Sequence, residues 1–325
     1  MKAFRAVVAV LAFASAGLGW AQGNWPAKPI TFVVPYAAGG PTDVVARTIA
    51  IGMSRAMNNA SIVIENKLGA GGTIAVAHVA KSAPDGYTFL VQHMGMATYP
   101  ALYKSLPFDS LKDFEYVGQV VDVPMTLLGS KNMKPANLAE LLPWLRANKD
   151  KVNWGNGGKG GVAELCTILF QKAVGFNMTS ISYTGTGPAM NALLGGQIDL
   201  MCDQTTTTVP QIKAGMVKFY GVTTASRVKV LPDAPTLDEQ GLKGFDMKVW
   251  HGVYAPKGTP RAIIDRMSAA LRAAMKDPDV MRRMSDLGAE IVPESKMTPE
   301  GLESHLRAET EKWLPAIRAA GVEPK

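Results

Sequence analysis

The side chains that usually carry catalysis are few in this chain, and their spacing assembles nothing. Its four histidines, His78, His93, His251 and His305, form no H-E-x-x-H pair, and no G-x-S-x-G turn is present. Its two cysteines, Cys166 and Cys202, have neither the C-x-x-C spacing of a redox pair nor that of a zinc ribbon. What the sequence offers instead is backbone. Ile30-Thr-Phe-Val-Val34 is an apolar run that stops at Gly39-Gly40 and continues through Pro41-Thr42-Asp43 into Val44–Ala50. It reads as strand, loop and helix, with Thr42 or Asp43 as the expected N-cap. The unpaired N–H groups of a first helical turn, with the helix dipole behind them, form a site for an anion. The plainer reading of one such loop is a tight connection with no ligand.

Three more strand ends repeat the pattern. Asn66-Lys-Leu-Gly-Ala-Gly-Gly-Thr73, Trp154-Gly-Asn-Gly-Gly-Lys-Gly-Gly161 and Tyr183-Thr-Gly-Thr-Gly-Pro188 each follow a short strand and precede a helical stretch. Ligands of open α/β sheets bind at such strand ends. Gly155 to Gly160 formally matches G-x-G-x-x-G, but the next strand ends at Tyr183-Thr184 and supplies no acidic residue for a ribose, so a dinucleotide is not expected. Lys159 is not followed by Ser or Thr, which excludes a phosphate loop. No cofactor or metal is expected. His93 sits at a strand end beside the expected cleft, where it either meets a ligand or caps a turn. Asp203 and Gln204 end the apolar strand Ile198–Cys202 and either accept from a ligand donor or fix a loop. Thr205 to Thr208 read as loop capping, and Trp154, Met94 and Met96 as core.

The elements that must position these loops alternate. Strands at 31–35, 62–65 and 87–92 with helices at 44–57 and 73–81 make one open α/β unit up to about Gly118. The apolar segment Tyr116–Leu128 can cross into a second unit, with helices at 138–147, 162–174, 189–194 and 209–214 and strands at 152–154, 180–183, 198–202 and 218–223. Phe245–Ala255 reads as a second crossing strand, and helical blocks at 261–275, 278–284 and 299–320 return to the first unit. The expected fold is therefore α/β, with two lobes joined by two crossing strands as a hinged clamp. The expected domains are 22–121 with 247–325, and 122–246.

Residues 1–21 carry Lys2 and Arg5, an apolar core from Ala6 to Leu18, and Gly19-Trp20-Ala21, the pattern of an export signal cleaved after Ala21. The mature chain is then expected in the periplasm. There Cys166 and Cys202 are either one disulfide or two buried thiols, and the disulfide is the expectation because both flank the cleft in one lobe. Without Lys2 and Arg5 the 34 basic residues fall to 32 against 27 acidic. The surplus is spread, with no basic run interleaved with aromatics, so no nucleic acid is expected as a partner.

Taken together, the motifs resemble the Bug family of extracytoplasmic solute receptors, the substrate-binding proteins of tripartite tricarboxylate transporters. The residues that carry the resemblance are Trp25-Pro-Ala-Lys-Pro-Ile30, Val34-Pro-Tyr-Ala-Ala-Gly-Gly-Pro-Thr-Asp43, Val63-Ile-Glu-Asn66, Gly69-Ala-Gly-Gly-Thr73, Ala83-Pro-Asp-Gly-Tyr-Thr88, Tyr183-Thr-Gly-Thr-Gly-Pro-Ala189, Leu194-Gly-Gly-Gln-Ile-Asp199 and Trp250-His-Gly-Val-Tyr-Ala-Pro256. The resemblance implies a two-lobed periplasmic binding fold of type II, a Venus flytrap that is not an enzyme. It implies a small carboxylate held by backbone N–H groups and ordered water, and a monomer that meets the membrane components of such a transporter, or a signalling receptor. It carries a ligand role onto Tyr36, Ala38, Gly39, Gly40, Thr42 and Asp43, onto Gly72 and Thr73, and onto Tyr183, Thr184, Gly185 and Thr186. Lys159 and Gly160 of the third loop are counted with them, beside His93, Asp203 and Gln204. Where the family usually has a hydroxyl residue and a histidine after the glycine pair of that loop, this chain has Gly161 and Glu164. The ligand carboxylate is expected on the N–H groups of the 36–43 loop, with hydroxyls from Thr184 and Thr186 and no bidentate arginine. Arg47, a turn into the helix, is expected to pair with a neighbouring acid.

Overall fold

The computed structural model describes residues 25–324, so the leader read at residues 1–21 lies outside the described residues. The chain runs β1 (Ile30–Val34), α1 (Pro41–Ala56), β2 (Ile62–Asn66), α2 (Thr73–Ala80), β3 (Thr88–His93), α3 (Gly95–Leu102) and β4 (Phe114–Ser130). It continues through α4 (Leu138–Asn148), β5 (Asn153–Asn156), α5 (Val162–Val174), β6 (Thr179–Ser182), α6 (Thr186–Leu194), β7 (Leu200–Gln204), α7 (Thr205–Lys213) and β8 (Val217–Val222). Then follow β9 (Lys248–Pro256), α8 (Arg261–Ala274), α9 (Pro278–Asp286), β10 (Glu290–Ile291) and α10 (Pro299–Ala319).

Two sheets share one strand. In the first lobe β1 pairs in parallel with β2 and β3, and β9 runs antiparallel between β3 and β4. In the second, β7 pairs in parallel with β5, β5 with β6, and β4 lies antiparallel between β7 and β8. Strand β4 changes partner along its length. Its last pair with β9 is Pro124 with Lys248, and its first with β7 is Met125 with Gln204.

The unbroken apolar runs of the sequence are strands covered on both faces. Phe32 and Val34 of β1, with Phe89 and Val91 of β3, pack on Val45, Ile49 and Met53 of α1 and Met267 and Leu271 of α8. Val33 and Leu90 point the opposite way, into a core with Val76 of α2 and Leu302, Leu306 and Trp313 of α10. The C-terminal helix thus closes the first lobe.

Three local readings change. Helix α1 begins one turn earlier than expected, with Gly40 as N-cap and Pro41 at its first position, where a missing N–H costs nothing. Asp43 consequently lies within the first turn. The threonines read as loop capping, Thr205 to Thr208, are the first turn of α7. The segment read as a second crossing strand is β9, whose pairs lie wholly in the first lobe's sheet, and the return passage is made just before it, where Met247 N–H donates to the Thr223 carbonyl at 2.9 Å. Helix α3 had no sequence counterpart.

A disulfide joins Cys166 of α5 to Cys202 of β7, with Cα atoms 6.2 Å apart, inside the second lobe's core. Replacing both cysteines by serine opens a loop of 36 residues, and chain entropy puts the loss at about 3–4 kcal/mol. Urea unfolding of the double variant checks this: a midpoint equal to that of the parent contradicts it.

Candidate functional site

Four helices begin at one place because four strands end there. Helices α1, α5, α6 and α7 follow β1, β5, β6 and β7, and their first residues surround a cavity between the lobes. Gly40 to Thr42 line it from α1, Gly161 to Ala163 from α5, Thr186 from α6 and Gln204 from α7, with Tyr36, Ala37, His93 and Gly157 completing the wall. None of these four helices has a side-chain cap; their N-cap residues are Gly40, Gly161, Gly185 and Gln204. Helices α4, α9 and α10, away from the cleft, are capped by Asn137, Asp277 and Thr298. Uncapped starts occur elsewhere, as at Pro260 before α8. Only at the cleft do four of them converge. The cavity is small, about 30 Å³, on the order of two water molecules.

Among the described residues no charged side chain lines it. Burial holds His93 well below the ordinary histidine range, and pushes His251 down to about 3, so both rings are neutral. Gly95 N–H donates to His93 Nδ1 at 2.9 Å, which leaves the proton of the neutral ring on Nε2. Tyr36 stacks on His93 with centroids 4.7 Å apart. His251, which the sequence reading left outside the site, lies 3.3 Å from the Thr42 hydroxyl and fixes it from behind.

On the second lobe's side Gln204 lines the cavity, and Asp203 precedes it in β7. Asp203 is buried; its Oδ2 accepts from the Thr207 hydroxyl at 2.6 Å, while its Oδ1 and Gln204 Oε1 have no protein partner. Burial pushes the Asp203 carboxyl up to about 7, against the opposing pull of Thr207, the Gln204 N–H and Thr186.

Other expected residues sit elsewhere. Asp43 is turned into its own loop: Oδ2 accepts from Gly39 N–H and from Arg47, and Oδ1 from Asn66, all within 2.9 Å. Although burial opposes its charge, the Arg47 guanidinium, the Gly39 N–H and the Asn66 amide hold its carboxyl below the ordinary range. The acid that Arg47 pairs with is thus Asp43. Ala38 and Gly39 do not line the cavity, and Thr73 donates to the Ala70 carbonyl. Gly72, Lys159, Tyr183 and Thr184 line a second, outer cavity of about 350 Å³ between the loops at 68–72, 157–159 and 182–184. Gly160 donates to the Glu164 carboxylate, and Gly185 packs on Ala37 across the seam. Val162 and Ala163 line the inner cavity beside Gly161 without having been singled out, because their contribution is helix position and not side-chain chemistry.

Protein atoms also touch across the seam. The Tyr103 hydroxyl lies 2.8 Å from the Ala70 carbonyl oxygen in its own lobe and 3.2 Å from that of Lys159 in the other. Glycine permits this approach: a Cβ on Gly71 would stand 2.4 Å from the Lys159 oxygen, and one on Gly160 2.1 Å from the Tyr103 hydroxyl. Further along, Thr205 Oγ1 donates to the Gly288 carbonyl at 3.0 Å.

Two expectations follow. Tyr103→Phe removes the hydroxyl contact to the Lys159 carbonyl across the seam, worth on the order of 1 kcal/mol, and should weaken every ligand about five-fold without changing their order, as titration calorimetry will show; unchanged affinities, or a changed order, contradict it. For Asp203, the unfolded carboxyl releases its proton near 3.8 and the folded one near 7. Between these values the folded chain binds more protons, so Asp203 lowers stability as pH rises through the window. Asp203→Asn should flatten the melting-temperature profile from about pH 4 to 7, and profiles that stay parallel contradict it.

Comparison with known proteins agrees with this geometry. Residues 45–322 match the model of the tripartite tricarboxylate transporter family receptor. The structure of the periplasmic binding protein BugD superposes with a TM-score of 0.90 at 45% identity, covering 93% of this chain and 100% of that one. MatC from Rhodopseudomonas palustris with bound malate gives 0.85 at 38% identity over 90% and 100% of the chains, and an R. palustris protein with adipate gives 0.88 at 31% over 93% and 100%. The chain belongs to the tripartite tricarboxylate transporter family of receptors, as an extracytoplasmic solute receptor of the Bug type.

Proposed function

We propose that this receptor captures a small organic acid by closing its two lobes on the ligand carboxylate, and delivers it to the membrane components of a tripartite tricarboxylate-type transporter. The observation that carries the reading is the convergence of four uncapped helix N-termini on a cavity with no cationic side chain. N–H groups and dipole ends favour an anion there without a countercharge. The inner cavity takes a carboxylate head, and Thr42, Thr186 and His93 are the side-chain donors. Gln204 and Asp203, with unpaired acceptors, suit a donor on the ligand or an ordered water. The malate and adipate held by two structural neighbours support a carboxylate as the class.

In this reading the domains are 22–121 with 247–325, and 122–246. The change of partner in β4 between Pro124 and Met125 supports a hinge a few residues beyond the first limit. The leader, cleaved after Ala21, delivers the chain to the periplasm, and among the described residues no helix is long and apolar enough to cross a membrane. In this reading the role is capture and not turnover: the ring that meets the Thr42 hydroxyl, His251, is pushed down to about 3 by burial and is a poor base.

Gly40→Val tests the reading. Its Cβ would lie 3.1 Å from the Ala37 carbonyl and 3.6 Å from Thr186 Oγ1, so the branched side chain fills the space for the carboxylate. Gly40 has φ −75°, which valine adopts without strain, so the fold should survive. In a thermal-shift screen over organic acids, Gly40→Val should lose the stabilisation given by acids, Arg47→Lys should keep it, and methyl esters should give none. Normal binding by Gly40→Val, or equal binding of esters and acids, overturns the reading.

A further inference from the structure

The loop that meets the other lobe beside Lys159 holds a conformation that its own residues do not fix. Gly69, Ala70, Gly71 and Gly72 all have positive φ, at 128°, 47°, 62° and 100°. Three glycines leave such a loop many other shapes, and an alanine in the left-handed region is disfavoured, so contacts from outside must select this one. Three tyrosine hydroxyls supply them. Tyr103 lies 2.8 Å from the Ala70 carbonyl oxygen, and Tyr99 of α3 and Tyr36 lie 2.9 and 3.2 Å from that of Gly71, with 3.2 Å between their own hydroxyls. The fit is tight: a Cβ on Gly72 would stand 2.7 Å from the Tyr99 hydroxyl and 2.9 Å from that of Tyr36.

Hydroxyls both donate and accept, so the direction of these bonds is set by a neighbour. Gln92, near the end of β3, is fully buried and lines neither cavity. The His93 backbone N–H, which can only donate, lies 2.8 Å from Gln92 Oε1, so the amide turns its Nε2 to the Tyr99 oxygen at 2.7 Å. Tyr99 then accepts from Gln92 and passes its own proton to the nearest oxygen, that of Gly71. Burial pushes the phenols of Tyr36 and Tyr99 up, so both keep their protons. We propose that Gln92 is a positioning residue for ligand capture: its amide fixes the Tyr99 proton on the Gly71 carbonyl and so holds the 69–72 loop where closure brings it against the peptide between Lys159 and Gly160. That seam leaves no slack, since a single carbon added to Gly71 would stand 2.4 Å from the Lys159 oxygen. The same hydroxyls hold Tyr36, whose ring stacks on His93 and lines both cavities. Affinity is thus set in part by a residue that lines neither cavity, because a loop ordered in advance need not be ordered on binding.

The inference rests on the proposed capture of an acid by the inner cavity, and the test separates the two. Gln92→Glu keeps the shape of the side chain and the acceptor for the His93 N–H. Ionised, the introduced carboxylate has no proton for Tyr99 and draws the Tyr99 proton away from Gly71; protonated, it donates as the amide does. Burial raises the pKa of such a carboxyl, and the titratable groups next to it, Tyr36, Tyr99 and the His93 ring, are neutral. Malate, adipate and the acids that stabilise the parent in the thermal-shift screen are titrated calorimetrically from about pH 5 to 9, which spans that raised range. The variant-to-parent affinity ratio should be near unity at the acid end and fall about five-fold as pH rises. Taking the ratio at each pH removes the titration of Asp203, which both proteins share. A side chain needed only for folding would weaken binding at every pH. Tyr99→Phe should cost a similar factor on its own, and Gln92→Glu added to it should bring no further pH dependence. A ratio that stays flat with pH, or a fall that persists beside Tyr99→Phe, overturns the inference and leaves acid capture intact. If no acid binds the parent, the proposed function falls and the inference with it.

Discussion

Strand β4 belongs to two sheets at once, and it changes partner at the peptide between Pro124 and Met125. Its position has a physical reason. Proline donates no ladder bond, so pairing with β9 can end at Pro124 without orphaning an N–H, and pairing with β7 and β8 takes over one or two residues later. Thr223 ties the outward and return passages together: its N–H donates to the Met125 carbonyl at 2.9 Å, its carbonyl accepts from Met247, and its hydroxyl bonds the Met247 carbonyl. On the first lobe's side, Asp122 is held by Lys248 and Gln119, both at 2.8 Å. Two adjoining peptides are thus stitched side by side, which allows the lobes to swing and resists their sliding.

The electrostatics of the cleft follow from what is kept out of it. A buried guanidinium would have to be desolvated each time the lobes close, a cost that its attraction to a carboxylate often only offsets. Fixed peptide dipoles are already oriented by the helices and need no such step. The acid nearest the first loop, Asp43, is spent on Arg47, Gly39 and Asn66, so it shapes the loop and does not repel an anion. Burial keeps His93 and His251 neutral, and lets Asp203 hold its proton into the neutral range. Among the described residues no lining side chain thus brings a fixed charge into the cavity.

The glycine loops at strand ends were legible because their physics is local: β-branched runs, glycine pairs and helix starts fall within a dozen residues. So were the two-lobed fold and the crossing at Tyr116–Leu128, a long, largely apolar stretch that exceeds one lobe's sheet. Thr205 to Thr208 misled because hydroxyl residues favour caps and turns by propensity, while here the end of β7 and the packing against β4 draw them into a helix. Asp43 misled for a related reason, since a helix that starts a turn earlier than read places its carboxylate inside the first turn, facing its own loop. His251 and Tyr103 gave no signal at all. Each acts on a residue far away in sequence, Thr42 and Lys159, and only the completed fold brings them together.

The contacts across the seam bear on how closure responds to ligand. Tyr103 to Lys159, Thr205 to Gly288 and Gly185 against Ala37 involve protein atoms only, and they favour the closed form whether or not an acid is present. A ligand shifts the population only through what it adds to the closed state over the open one. Each unpaired N–H or acceptor facing the inner cavity is a group that water satisfies when the lobes are apart, and that closure over an empty site leaves without a partner. On the proposed reading, protein contacts pull the lobes shut while unpaired dipoles oppose closure, and the carboxylate removes the second term and leaves the first.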